Sequence, residues 1–327
     1  MKSKKKIIFI LVCFIVLILG ISVLLYISDK DDTYSTEFEE SERENTVVYG
    51  GKEYQYNEHL SNYLFLGIDT KELAEEEQAR IENGRADAIY LVSYNRVEKS
   101  VKCIAIPRDT MTNIHTYSVD GADLGLTEDH LSMQYLYGDG KDKSCRLMKE
   151  AVSNLLYGIP IQGYCAVNME GIPAAVKVLG EVKLTVPDDT LETVNSKFKK
   201  GAEVSITEED AELFVRYRDT DIAQSAIARM NRQKVFMEAF VETAQNKTIK
   251  DPNLVINMFD GLKPYMVTNM GTDLFAKLLE GTYDAENKIQ DIPGEKVDGM
   301  DFDEYHVNET QLYEFILQMF YEEVQDR

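Results

Sequence analysis

The chain has 327 residues, 44% hydrophobic and 28% charged, with 7 prolines and 19 glycines. That is enough to pack one or two domains, and it excludes collagen, disorder throughout and a disulfide-stapled miniprotein. Asp and Glu number 57 against 35 Lys and Arg, a net charge of -22, which argues against nucleic acid as a partner and requires any polyanionic ligand to be held by a local cluster of bases.

The first predicted element is an apolar run from Ile7 to Ile27, preceded by Lys2, Lys4, Lys5 and Lys6 and followed by Ser28-Asp29-Lys30-Asp31-Asp32. Its length suits a bilayer span, and it lacks the small-residue cleavage site of a signal peptide. The positive-inside rule keeps residues 1–6 in the cytoplasm and places everything after about residue 28 outside. The expected protein is therefore single-pass in the cell membrane: a tail (1–6), a transmembrane helix (7–27), an acidic stalk (28–61) and one extracellular domain (62–327). The stalk reading rests on the eight acids and two bases between Asp29 and Glu44, a self-repelling composition.

Three strand-like runs open the domain: 63–68, 88–94 and 101–106. The linker Asn95–Ser100 is short enough for a hairpin, which makes the second and third strands antiparallel neighbours. The start of the second then lies beside the end of the third. If the first strand leaves at the same edge, Asp69, Arg85, Asp87, Arg108 and Asp109 converge there. Two guanidiniums among three carboxylates suit a metal-plus-phosphate site.

Thr207-Glu-Glu-Asp210 opens a helix as a capping-box variant, and that helix runs out at Arg216-Tyr217-Arg218. Residues two apart face differently on a helix, so Arg216 and Arg218 reach one ligand only where the helix gives way to extended chain. A second helix from Ala228 carries Arg229, Arg232, Gln233, Phe236 and Phe240 on one face by 3.6-residue spacing. That face turns apolar after one turn, which points Arg229 and Gln233 inward. The use of Arg rather than Lys fits a bidentate grip on phosphate oxygens, although an ion-pair network with Asp109, Asp219 and Asp221 accounts for the same residues.

Leu66-Gly67-Ile68-Asp69, Arg85-Ala86-Asp87, Ile106-Pro107-Arg108-Asp109-Thr110, Leu179-Gly180-Glu181-Val182, Arg216-Tyr217-Arg218 and Arg229-Met-Asn-Arg232-Gln233 stand in this order, and as an ordered set they resemble the LytR-CpsA-Psr family of membrane-anchored glycopolymer transferases. The resemblance covers about 62–244. Departures are Ala226 in place of an acidic residue, Glu181 within a usual Leu-Gly-Gly-Val, Leu131-Ser132-Met133 where relatives carry Ile-Asn-Ala, and a Glu-rich insertion from Lys71 to Gly84.

The resemblance implies an α/β/α layered domain with a mixed central sheet and an apolar groove for a polyprenyl chain. It implies transfer of a glycopolymer phosphate from a polyprenyl-diphosphate carrier to a peptidoglycan hydroxyl at the membrane. On that basis Asp69 and Asp87 would hold Mg²⁺. Arg85, Arg108, Arg216, Arg218, Arg229, Arg232 and Gln233 would bind the diphosphate. The catalytic set would be Asp87, Arg108, Asp109 and Arg218, with Asp87 and Asp109 both candidates for handling the acceptor proton. Two alternatives stay open: a phosphatase acting on the same lipid with water as acceptor, and a non-catalytic glycolipid-binding regulator. Cys103 and Cys165 read as buried hydrophobes, and His115, His130 and His306 as surface residues.

Overall fold

The structure, a computed structural model, describes residues 45–70, 84–118, 120–218, 225–283, 289–299 and 303–324. The apolar run 7–27, the acidic segment up to 44, the insertion 71–83, Asp219, Asp221 and the side chain of Ala226 lie outside the described residues. Among the described residues no helix is long and apolar enough to cross a membrane.

In chain order the elements are β1 (Thr46–Tyr49), β2 (Lys52–Tyr56), β3 (Leu60–Ile68), β4 (Ala86–Asn95), β5 (Ser100–Ala105), β6 (Met111–Tyr117), β7 (Asp123–His130), α1 (Asp142–Leu155), β8 (Gly163–Asn168), α2 (Gly171–Leu179), β9 (Val182–Thr185) and β10 (Glu203–Ile206). After these come α3 (Glu208–Arg216), α4 (Ser225–Thr248), α5 (Leu254–Leu262), β11 (Met266–Thr268), α6 (Thr272–Glu280), β12 (Thr282–Tyr283), β13 (Ile289–Asp291), β14 (Gly294–Asp298), β15 (Asp303–Val307), α7 (Glu309–Phe320) and β16 (Tyr321–Glu323).

The chain divides into two compact units, a large one spanning Asn57–Tyr321 and a small one formed by residues up to Tyr56 together with those from Glu322 onward. In the small unit β1 and β2 form a hairpin with Tyr49 opposite Lys52. Gly50 and Gly51 turn it at φ +59° and +78°, the positive pair that a tight two-residue turn requires. The last dozen residues of the range expected to be stalk are therefore ordered as strands, and β3 begins at Leu60, ahead of the expected domain start at Asn62.

The large unit is mixed α/β around a mixed sheet of order β11-β8-β3-β4-β5-β12, with β13 also paired to β5. β4 runs antiparallel to both β3 and β5, while β8 lies parallel to β3 and β12 and β13 parallel to β5. Alternation along β3 sends Leu64, Leu66 and Ile68 to one face, all buried, and Tyr63 and Phe65 to the other. On the first face Tyr164, opposite Leu64, donates to Asp142 of α1 at 2.7 Å. On the second face Phe65 meets Phe275 of α6 edge-on at 6.1 Å, and Phe275 meets Phe259 of α5. Helices thus cover both faces, as an α/β/α arrangement requires.

A separate core gathers Phe198, Phe214 and Phe236 between the β9–β10 hairpin and α2, α3 and α4. Asp210 accepts from both the main-chain N–H (3.2 Å) and the hydroxyl (2.8 Å) of Thr207, closing the start of α3 where the sequence placed it.

Candidate functional site

The expected strand geometry brings the first cluster together. Because β4 is antiparallel to both neighbours, the end of β3, the start of β4 and the end of β5 share one edge. The β3–β4 register slips by one residue between Gly67 and Ile68, an irregularity that re-aims the side chains beyond it. Asp69 comes to face Arg85, accepting its main-chain N–H at 2.5 Å and lying 3.5 Å from its Nη2. Gly84, at φ +76°, closes this corner: a Cβ there would collide with Thr70 Cγ2 and stand 3.0 Å from Asp69 Oδ1. Only glycine suits both the backbone angle and the space.

Asp87 and Arg108 meet from adjacent strands. Arg108 Nη1 donates to Asp87 Oδ1 at 2.6 Å, and its Nε lies 3.1 Å from Asp109 Oδ1. The turn that presents Arg108 and Asp109 is closed by Thr110 N–H donating to the Pro107 carbonyl at 3.1 Å. Buried Ser132 anchors it from outside, its N–H donating to the Arg108 carbonyl at 3.0 Å. Arg108 Nε is buried and makes no hydrogen bond, since its approach to Asp109 lacks the required angle. A buried donor in this state suits an incoming anion.

Arg229, near the start of α4, completes the group with Nη1 3.8 Å from Asp87 Oδ2. Burial, followed by the charge of Arg108, holds its guanidinium below the usual arginine range, and Arg218 adds to this while Asp87 and Asp109 oppose it. For Arg108 burial works in the same direction but is outweighed by Asp87 and Asp109, with a smaller contribution from Asp69, and the net displacement is upward. Arg108, Arg218 and Arg229 therefore feel one another's charge, and Asp69, Asp87 and Asp109 lie within the same field.

Three residues expected at the ligand are placed elsewhere. Arg216 is the last residue of α3 and pairs with Glu212 one turn back, so only Arg218, beyond the helix end, turns toward the cluster. Arg232 is 1% exposed; its Nε donates to the Phe214 carbonyl at 3.1 Å, and its Nη1 reaches both oxygens of Asp188 at 3.1 and 3.3 Å. It also donates to Thr190 Oγ1 and the Tyr217 carbonyl. Gln233 donates to the Val215 carbonyl at 3.2 Å. Arg232 and Gln233 thus tie α4 to the end of α3, fixing the segment that leads into Arg218. They share the helix face of Arg229, as the spacing predicts, but α3 rather than a ligand meets them.

Two groups that sequence reasoning left aside also enter. Asp303, at the start of β15, lies 3.8 Å from Arg218 Nη2. His130, expected on the surface, donates from Nε2 to the Asp303 carbonyl at 3.1 Å. The three described cysteines are free, and burial pushes the thiols of Cys103 and Cys165 up to about 12. Such thiols are poor nucleophiles at neutral pH.

Asp69 and Asp87 are the carboxylates from which a metal would be held. The donor set is all oxygen, which suits a hard cation. Among the described residues no group of three or more His, Cys, Asp or Glu is placed to hold a metal ion. The residues fit Mg²⁺ in its usual form, with most of its shell made of water and ligand phosphate; they do not form an all-protein cage.

These features define a mixed α/β protein with a guanidinium and carboxylate cluster at the edge of its central sheet, built to receive a polyanion. The profile of the LytR_cpsA_psr family matches residues 22–320, and the chain belongs to that family. It is 27% identical over 281 residues to the polyisoprenyl-teichoic acid–peptidoglycan teichoic acid transferase TagT of Bacillus subtilis, covering 84% of this chain and 79% of the relative. It is likewise 27% identical to the TagU enzyme of the same description from Enterococcus faecalis, covering 83% and 80%. Among solved structures, that of B. subtilis TagV superposes with a TM-score of 0.59 at 24% identity, covering 80% of this chain and 96% of that one. That of gbs0355 from Streptococcus agalactiae superposes with a TM-score of 0.61 at 18% identity, covering 82% and 90%. These two likenesses concern the fold.

Proposed function

We propose that this protein is a glycopolymer phosphotransferase, moving a glycopolymer phosphate from a polyprenyl-diphosphate carrier to a hydroxyl of peptidoglycan. The observation that carries the reading is the Arg108–Arg218–Arg229 cluster, in which the buried Nε of Arg108 lacks a hydrogen bond. Repelling guanidiniums are stabilised by a polyanion. The names of the teichoic acid transferases it resembles support the same substrate class. The second sheet face supports a lipid: Tyr63, Phe65, Val92 and Val167 are only partly covered by Leu262, Leu274 and Phe275, leaving apolar surface for a prenyl chain.

In the reaction the acceptor hydroxyl oxygen attacks the glycan-bearing phosphorus. The bond from that phosphorus to the bridging oxygen breaks, and polyprenyl phosphate leaves with the electron pair. Arg108, Arg218 and Arg229 bind the diphosphate and offset charge gathering on the leaving group. Asp87 and Asp109, both beside Arg108, are the carboxylates available to take the hydroxyl proton. Mg²⁺, held by Asp69 and Asp87, would supply further neutralisation of the phosphate oxygens when bound. The catalytic domain works outside the cell, anchored through 7–27, where both the lipid carrier and the wall are within reach.

The test uses full-length protein in detergent with a polyprenyl-diphosphate-linked glycopolymer. Release of polyprenyl phosphate that depends on added peptidoglycan, and is lost in Asp69→Ala or Asp87→Ala, is the expected result. Equal release without peptidoglycan identifies a phosphatase. Failure to bind the diphosphate lipid refutes both.

A further inference from the structure

The C-terminal hairpin brings to the site a carboxylate that takes no part in the proposed transfer chemistry. Asp303 opens β15, and three elements meet on it. Lys296 Nζ donates to its Oδ2 from β14 at 2.5 Å, His130 Nε2 donates to its carbonyl from the end of β7 at 3.1 Å, and Arg218 Nη2 stands 3.8 Å from the same Oδ2. That last separation is a charge contact longer than a hydrogen bond.

The hairpin is itself fixed to the segment that carries Arg108 and Asp109. Tyr305 N–H donates to the Asp109 carbonyl at 2.8 Å, Thr110 and Tyr305 form a parallel bridge, and the Tyr305 hydroxyl donates to the Ile292 carbonyl at 2.7 Å. Asp303 therefore presents its charge from a frame shared with Arg108, whereas Arg218 sits past the end of α3 on a long, rotamer-rich side chain.

We propose that Asp303, clamped by Lys296 and His130, is the positioning residue that sets the guanidinium of Arg218 over the diphosphate site. The inference rests on the function proposed above. Its Oδ2 is shared between Lys296 and Arg218, and the charge of Arg108 also reaches it. The hydrogen bond from Lys296 holds its carboxyl below the usual range against the opposing effect of burial, with Lys296, Arg218 and Arg108 adding their charge. It therefore stands as an anion beside a site for anions.

That placement separates two roles by sign. A bystander carboxylate repels a diphosphate, so removing its charge tightens binding. A carboxylate that aims Arg218 adds more grip than its own repulsion costs, so removing its charge weakens binding.

The experiment is calorimetric titration of the full-length protein in detergent with geranylgeranyl diphosphate. Asp303→Asn keeps the carbonyl that His130 uses and should weaken binding about tenfold, the low end for a lost charged hydrogen bond. Asp303→Glu should recover most of it. Lys296→Met, a change at a partly exposed lysine, should weaken binding in the same direction and carries the test if Asp303→Asn does not fold. In an Arg218→Ala background neither substitution should weaken binding further. Unchanged or tighter binding by Asp303→Asn, or equal weakening with and without Arg218, overturns the inference alone. A wild-type protein that binds no diphosphate overturns the function proposed above and this inference with it.

Discussion

Arginines adjacent in sequence differ in what surrounds them, and so in what their loss should do. Arg108 and Arg218 touch carboxylates at a partly open sheet edge, where the planar fork rather than the charge alone suits a diphosphate. Replacing either with Lys should lower transfer by about 10- to 1000-fold, about 1.4–4 kcal/mol of transition-state stabilisation, with little change in melting temperature. Transfer assays and thermal melts on the same samples check this. Arg232 should behave in the opposite way. Its bonds go to Asp188, Thr190 and two main-chain carbonyls in a buried setting, so Arg232→Ala should cost about 3–5 kcal/mol by stranding Asp188. Denaturant unfolding would show that loss, while turnover per folded molecule stays close to wild type. A normal stability with abolished binding would return Arg232 to the ligand.

At the level of elements, the start of α3 is the clearest case of local sequence deciding local structure. Asp210 is held below the usual carboxylate range: burial opposes this, but the hydrogen bonds from Lys197 and Thr207 prevail. A carboxyl lowered by folding contributes stability that is present above its unfolded value and lost as pH falls through its folded one. Asp210→Asn should therefore cost about 1 kcal/mol near neutrality, as a lost cap does, and the gap to wild type should close in acid. Urea unfolding of both proteins at neutral and acid pH measures it. A gap that persists in acid would mean that the amide loses packing rather than charge. The strand edge offers a second test. Gly84→Ala forces a Cβ against Thr70 and Asp69 at a positive φ, so it should impair diphosphate binding by displacing Asp69, even though alanine is otherwise a mild change.

For the whole molecule, the proposed anchor and the described domain must lie on one continuous chain with its lysines inside. Protease added to intact protoplasts should remove the domain and leave only a short membrane-protected fragment. Survival of the full chain would refute the orientation. The same topology places the acidic domain among the anionic polymers of the wall, where its net charge of -22 repels them. The local cluster of arginines is then the place where a polyanion is attracted, which makes binding at that edge selective by position.

The sequence by itself determined the large sheet's centre and the first half of the site. β3, β4 and β5 are local: their alternation, the short 95–100 linker and the strand ends oblige Asp69, Arg85, Asp87, Arg108 and Asp109 to meet, because antiparallel neighbours share their edges. The ordered motifs likewise carried the family. Tertiary structure alone decided which arginines face the site. Helical spacing put Arg229, Arg232 and Gln233 on one face, but a face is wide enough to meet both α3 and the sheet edge, and only packing shows that Arg232 and Gln233 meet the first and Arg229 the second. Arg216 and Arg218 were divided by where α3 ends and by Glu212 one turn back. Asp303 had no local signal at all. It reaches Arg218 through the pairing of β15 with the Thr110 segment, a contact between distant parts of the chain that no periodicity within either part encodes.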